Sequence, residues 1–138
     1  MGYHPPDPPV VPYLMVKDGH AALDWYIRAF GGRELVRYDM DDGRLGHAML
    51  ELANGGSIYL SGEFDEETVG TRAPETLGGT TFTVALAVDD ADAWIARAEA
   101  EGAAVIRPAT DELFGRNGKV RDPFGHVWSL TGPKRNEG

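Results

Sequence analysis

The chain contains no cysteine. Disulfides, thiolate metal ligands and a thiol nucleophile are therefore excluded. It also lacks any apolar run approaching the roughly 20 residues that span a bilayer. Basic residues are scarce, with 13 Lys and Arg against 22 Asp and Glu and a net charge of −9. Nucleic-acid binding needs basic surface to displace counterions, so this balance argues against it. An acidic surface serves solubility, and it is compatible with a cationic small ligand. The opening Met1-Gly-Tyr-His-Pro-Pro-Asp-Pro-Pro lacks the basic and apolar pattern of a secretion signal. The expectation is a cytoplasmic protein with neither nucleic acid nor membrane as a partner. What remains is sufficient for one ordinary domain: 138 residues, 42% apolar and 25% charged.

A Pro-rich lead-in (residues 1–8) gives way to Val10–Val16, a β-branched apolar run that reads as a strand. From Asp18 to Gly31 the apolar residues Ala22, Trp25, Tyr26, Ala29 and Phe30 recur at helical spacing, with Asp18 as cap and Gly31-Gly32 as stop. Short strands are predicted at Leu35–Tyr38, His47–Leu52 and Ser57–Leu60, separated by turn signals at Asp42-Gly43 and Asn54-Gly55-Gly56. Residues 62–79 are acidic and glycine-punctuated without a period, and read as a linker or loop whose Glu63, Asp65, Glu66 and Glu67 could shield a cationic guest.

After the linker the pattern restarts. Thr83–Asp90 matches Val11–Asp18, and a helix follows over Ala91–Glu101 with Trp94, Ile95 and Ala98 on one side. Val105-Ile106 reads as a strand, and the last hairpin joins Lys119–Arg121 to Val127–Leu130 through Asp-Pro-Phe-Gly. Leu50–Leu60 overlays Val120–Leu130. One βαβββ unit is too small to bury a core alone. The duplication therefore predicts an α+β fold of two tandem βαβββ modules (9–61 and 80–132), with eight strands curling as a mixed sheet around a cleft and one helix per module outside. Residues 133–138 form a tail.

Three stretches carry a family resemblance. They are Val-Lys-Asp…Leu-Asp-Trp-Tyr…Phe-Gly-Gly near the start, Asp-Gly-Arg-Leu-Gly-His-Ala with Leu-Gly-Gly-Thr in the middle, and Arg-Asp-Pro-Phe-Gly-His-Val-Trp near the end. Together with the duplicated βαβββ, they resemble the vicinal oxygen chelate superfamily of glyoxalase I, fosfomycin and bleomycin resistance proteins and extradiol dioxygenases. The middle motifs are most similar to its PhnB-like branch. Over residues 9–132 the resemblance implies this fold as a single domain, a small-molecule cleft and a homodimer.

In the enzymes of that superfamily a divalent metal is held by His, Glu or Gln at four matched positions, which here fall on Val11, Tyr59, Thr83 and Ser129. Valine has no donor atom, and neutral hydroxyls bind divalent metals weakly. No metal or other cofactor is expected.

Strand alternation sorts the cleft face from the core face. Leu14, Val16, Val84, Leu86, Val88, Leu50 and Leu52 go to the core. The cleft then receives Val11, Tyr13, Met15, His47, Met49, Glu51, Tyr59, Thr83, Ala85, Ala87, Lys119, Arg121 and Ser129. Among these, Tyr13, Met15, His47, Met49, Glu51, Tyr59, Thr83, Arg121 and Ser129 are the candidate ligand-binding residues, a mixture of apolar surface and a few polar groups typical of small-molecule sites. His47 and Glu51 are also the candidate catalytic pair, His47 as acid or base and Glu51 as counter-charge to Arg121 or a cation. Being four residues apart on one strand, they lie about 13 Å apart and cannot share a metal alone. Glu51 paired with an arginine and His47 bonded across the sheet are the plainer alternatives. His126 has the parity of Trp128 and Leu130, so it belongs with the turn and the core. Two functions stay open: a binding protein that sequesters a small, cationic or aromatic compound, as antibiotic-resistance members do, and a metal-free or atypical enzyme of lyase, isomerase or dioxygenase type using His47.

Overall fold

A computed structural model describes residues 5–65 and 69–135. Glu66 and Glu67 of the acidic loop lie outside the described residues. The chain divides into two compact units between Gly79 and Thr80.

The first unit runs β1 (Tyr13–Val16), α1 (Gly19–Phe30), β2 (Arg33–Asp39), β3 (Leu45–Glu51) and β4 (Ser57–Gly62), followed by a short helix α2 (Pro74–Leu77). Its sheet has the order β1-β4-β3-β2, with β1 parallel to β4 and the other pairs antiparallel. The second unit repeats the scheme: β5 (Thr83–Ala87), α3 (Ala91–Ala100), β6 (Ala104–Glu112), β7 (Gly115–Arg121) and β8 (Val127–Gly132), in the order β5-β8-β7-β6. The fold is thus α+β with two βαβββ modules, each a four-stranded mixed sheet. In a mixed sheet of this kind the helix supplies the crossover that a parallel pair requires.

The two long helices, α1 and α3, each begin on an aspartate. Asp18 Oδ1 accepts from the Ala21 N–H at 3.1 Å, and Asp90 Oδ1 accepts from the Ala93 N–H at 3.1 Å. Such caps satisfy donors that the first turn leaves orphaned. Gly31 ends α1 in the left-handed region at φ 65°, where a side chain would be strained. Helix α1 buries Ala22, Leu23, Trp25, Tyr26, Ala29 and Phe30, and it packs on β1, β3 and β4, whose Leu14, Val16, Ala48, Leu50, Ile58 and Leu60 are also buried. A buried side chain of the Leu or Phe class contributes roughly 1.5–3 kcal/mol. Helix α3 offers less: Ala91, Ile95 and Ala98 are its buried residues, and they pack on β6, β7 and β8. Ile95 sits so close that a Cβ on Gly118 would lie 2.5 Å from Ile95 Cδ1, which explains a glycine in mid-strand.

Four expectations are corrected. The first strand starts at Tyr13 and not at Val10, because the prolines before it carry no N–H for a ladder. Trp94 is only half-buried: its indole N–H donates to Asp89 Oδ1 at 2.9 Å and Arg97 lies over its ring, so the buried stripe of α3 runs through Ile95 instead. The linker is partly ordered, since Pro74 occupies the first turn of α2. The third strand pair is much longer than Val105-Ile106 and Lys119–Arg121: β6 and β7 form an extended hairpin whose register shifts around Pro108.

Candidate functional site

In the first unit, the sheet face opposite α1 carries an aromatic cluster. Parallel pairing sets Tyr13 beside Tyr59, and antiparallel pairing sets Met49 beside Tyr59 and His47 beside Tyr38. The rings of Tyr13 and Tyr59 meet edge to face at 5.6 Å, His47 and Tyr59 at 5.1 Å, and Tyr38 stacks on His47 at 6.2 Å. These separations match favourable aromatic geometries. The Tyr13 hydroxyl and His47 Nδ1 are hydrogen-bonded at 2.8 Å. Val36, Met49 and Tyr59 form a buried cluster on which Val11 and Leu35 pack. Tyr13 remains 51% exposed and stands at the cluster's open side.

A cavity of about 1170 Å³ begins there. Tyr13, Met15, Met40 and Phe64 give it an apolar and aromatic wall. Its charged residues are Lys17, Arg44, Glu63 and Asp65. Their commitments differ. Arg44 Nε donates to Asp42 Oδ2 at 2.8 Å, and its guanidinium lies 4.4 Å from the centroid of the Phe64 ring. Glu63 Oε2 accepts from the Thr76 hydroxyl at 2.6 Å and from the Ala73 N–H at 3.0 Å, tying the acidic loop to the start of α2. The Thr76 bond is the main cause that holds the Glu63 carboxyl below its ordinary range. Glu63 therefore serves the local fold before any guest.

The predicted site residues distribute as follows. Tyr13 and Met15 line the cavity, His47 bonds to Tyr13 behind them, and Met49 and Tyr59 form the floor of the cluster. Glu51 has a counter-charge within its own unit. Its carboxylate accepts from Arg33 Nε at 3.0 Å on the adjacent strand, so the arginine alternative describes it. Thr83, Ser129 and Arg121 belong to the second unit, on the sheet face opposite α3. Thr83 is exposed there, and Ser129 Oγ accepts from Asn117 Nδ2 at 2.8 Å. His126 is buried beside its turn. Its N–H donates to Asp122 Oδ1 at 3.0 Å, and its ring meets Phe82.

The four positions that hold metal in the superfamily's enzymes do not fit a metal here. Val11 is a packing residue without a donor, and Ser129 is a neutral hydroxyl already engaged. The Tyr59 hydroxyl is a protonated phenol at neutral pH that donates to Asp7, and that hydrogen bond pushes its pKa further up, to about 12. A protonated phenol is a poor ligand for a divalent ion. Among the described residues, no three of His, Asp or Glu converge as a metal set.

Sequence reasoning missed Asp7, Lys17, Met40, Arg44 and Phe64. Lys17 was within reach, because it continues the alternation of Tyr13 and Met15. Phe64 is the single aromatic in the acidic loop. Asp7 carries no local signal, since its partner is a strand far along the chain.

A duplicated βαβββ scaffold, with a four-stranded mixed sheet in each copy, defines the class of the fold. The chain belongs to the Glyoxalase/Bleomycin resistance protein/Dioxygenase superfamily, whose family model matches residues 9–130. It is 42% identical over 131 residues to an uncharacterized protein of Mycobacterium bovis, covering 94% of this chain and 86% of that one. Among solved structures it is similar to TioX from Micromonospora sp. ML1, with 33% identity, a TM-score of 0.70, and coverage of 88% of this chain and 95% of TioX. The PhnB protein from Bacillus cereus shares the fold at a TM-score of 0.67 and 17% identity, covering 90% of this chain and 98% of its own. No helix among the described residues is long and apolar enough to cross a membrane.

Proposed function

We propose that this chain is a small-molecule-binding protein of the glyoxalase/bleomycin resistance type, which sequesters a planar compound in the cavity of its first unit without metal chemistry. The observation that carries this reading is the wall of Tyr13, Met15, Met40 and Phe64 around about 1170 Å³. Aromatic faces and flexible thioethers adapt to flat, polarizable guests. The misfit of Val11, Tyr59, Thr83 and Ser129 as ligands favours binding over glyoxalase-type catalysis. The Asp-Gly-Arg-Leu-Gly-His-Ala motif supports assigning the chain to the PhnB-like branch within the same reading.

Titration with naphthalenemethanol and with bleomycin, followed by fluorescence, tests it. Saturable binding with the probe recovered unchanged is expected for at least the planar alcohol. Tyr13→Ala and Phe64→Ala should each weaken it about three- to tenfold, the scale of one aromatic contact. Absence of saturable binding to both, or a stoichiometric transition metal in freshly purified protein, would overturn it.

A second reading rests on the 2.8 Å Tyr13–His47 hydrogen bond. A phenol paired with an imidazole beside a cavity can move a proton, which suits a metal-free lyase or isomerase. Under that reading a substrate is turned over, and His47→Ala abolishes turnover while leaving the fold intact.

A further inference from the structure

The cavity's charges sort into those already used and one that is not. Glu63 is committed to Thr76 and Ala73, and Asp65 has contacts of its own. Arg44 is held by Asp42 and spread over Phe64. Lys17 is different. It is exposed, it lines the cavity, and it forms no hydrogen bond or ion pair among the described residues. Its charge is felt by Glu63, where it is among the weaker causes of that carboxyl's lowered range. The location also follows from the strand. Tyr13, Met15 and Lys17 alternate outward from β1, so an ammonium stands at the end of the aromatic and thioether wall.

From this arrangement we propose that the guest is an aromatic organic anion, a flat apolar body carrying a carboxylate, whose anionic end is anchored by Lys17. The inference rests on the cavity reading above and deepens it. It reverses the preference for cations that the net charge of −9 suggests. That net charge acts over distances that physiological salt screens beyond about 8 Å. Inside the cavity the selection falls to Lys17, the lining cation with no hydrogen bond or ion pair among the described residues. Glu63 is oriented by its bonds to Thr76 and Ala73, so among the described lining charges Lys17 is the one left to turn to a guest. Lysine suits the task as a point charge on a flexible stem that reaches a ligand without fixing its plane.

Three naphthalene probes with the substituent at the same ring position test this on the full chain: naphthoate, naphthalenemethanol and naphthylmethylammonium. Naphthoate should bind about three- to tenfold more tightly than the alcohol, the scale of a partly exposed charge-assisted contact, and the ammonium most weakly. The preference should shrink with added salt. Lys17→Gln should bring naphthoate and alcohol to equal affinity, and Lys17→Glu should favour the ammonium. Lys17 is exposed, and circular dichroism checks that both variants fold. Equal affinities in the wild type, a preference for the ammonium, or a preference that survives Lys17→Gln would overturn the anion assignment while leaving the cavity reading standing. Failure of all three probes would remove both.

Discussion

The two units place different chemistry at matching positions. Tyr13, His47 and Tyr59 of the first correspond, by strand register, to Ala85, Asn117 and Ser129 of the second. In the first unit these side chains are rings that meet at 5.1–5.6 Å and leave a hydroxyl at a cavity's edge. In the second, the polar groups are consumed locally. Asn117 is buried, donates Nδ2 to Ser129 Oγ at 2.8 Å, Thr131 Oγ1 at 2.9 Å and the Leu130 carbonyl at 3.2 Å, and accepts from Arg107 through Oδ1. One copy of the duplicated module opens its sheet face onto a cavity, and the other uses it for bonds among its own strands. A duplicated fold gains this freedom because one helix-facing core suffices to hold each sheet, leaving the opposite faces free to diverge.

The turns after β3 and β7 sharpen the contrast, and the largest effect should appear there. In the first unit the Leu52 N–H donates to the Gly56 carbonyl at 2.8 Å, and Asn54 Oδ1 accepts from the Gly56 N–H. In the second, the matching bond from Asp122 to His126 is supplemented by a buried carboxylate that accepts from the Phe124 and His126 N–H groups and from the indole of Trp128. Asp122→Ala would orphan three donors in a buried turn. A loss of about 3–5 kcal/mol in urea unfolding is expected. Asn54→Ala, at a turn where the side chain is exposed, should cost about 1 kcal/mol or less. Similar costs for the two would break the idea that the second turn is the built anchor.

The next test exchanges the matched pair behind the two faces. Asn117→Ala removes four hydrogen bonds from the second unit's sheet and should cost about 2–3 kcal/mol, with no direct effect on a probe bound in the first unit's cavity. His47→Ala should cost under about 1 kcal/mol but weaken planar probes, because Tyr13 loses its hydrogen-bond partner and its orientation. Stability and binding measured on both variants separate the roles. An Asn117→Ala protein of unchanged stability would mean that the second face is not self-satisfied.

How much of this was legible beforehand follows from the range of each signal. Caps, helix periods and the duplicated strand–helix order are local, so Asp18, Asp90, α1 and the βαβββ repeat could be read directly. Alternation along a strand is also local, and it set Leu14 and Val16 apart from Tyr13 and Met15. Signals that need a partner far along the chain were lost. Glu63 ties down α2 from outside the helix, so the acidic loop looked structureless. Pro108 masked the length of β6, although a proline is tolerated where an edge strand shifts register. Helical spacing puts Trp94 on one side with Ile95 and Ala98, but α3 buries a narrow alanine–isoleucine stripe, and the large ring finds Asp89 and Arg97 at the side. The cavity depended on Lys17, Arg44 and Phe64, which come from three separate segments.

The smallest effect is spectroscopic, and it concerns the matched hydroxyls Tyr59 and Ser129. Tyr59 donates to Asp7, and both that bond and the neighbouring negative charge oppose loss of its proton. The phenol should titrate near 12 in place of the ordinary value near 10. Because the folded value lies above the unfolded one, the contribution to stability is fully present below pH 10 and is lost as pH rises through about 12. Phenolate absorbance of the native protein should therefore include a step near 12, beside that of Tyr13, whose phenol burial also raises. Asp7→Asn keeps an oxygen acceptor and removes the charge, so that step should move back toward 10 while the other tyrosines stay put. Tyr59→Phe assigns it by deleting it. If Asp7→Asn leaves the late step in place, burial in the Val36–Met49 cluster is its cause. The first unit's face would then be closed by packing alone, with no part played by the chain segment that precedes β1.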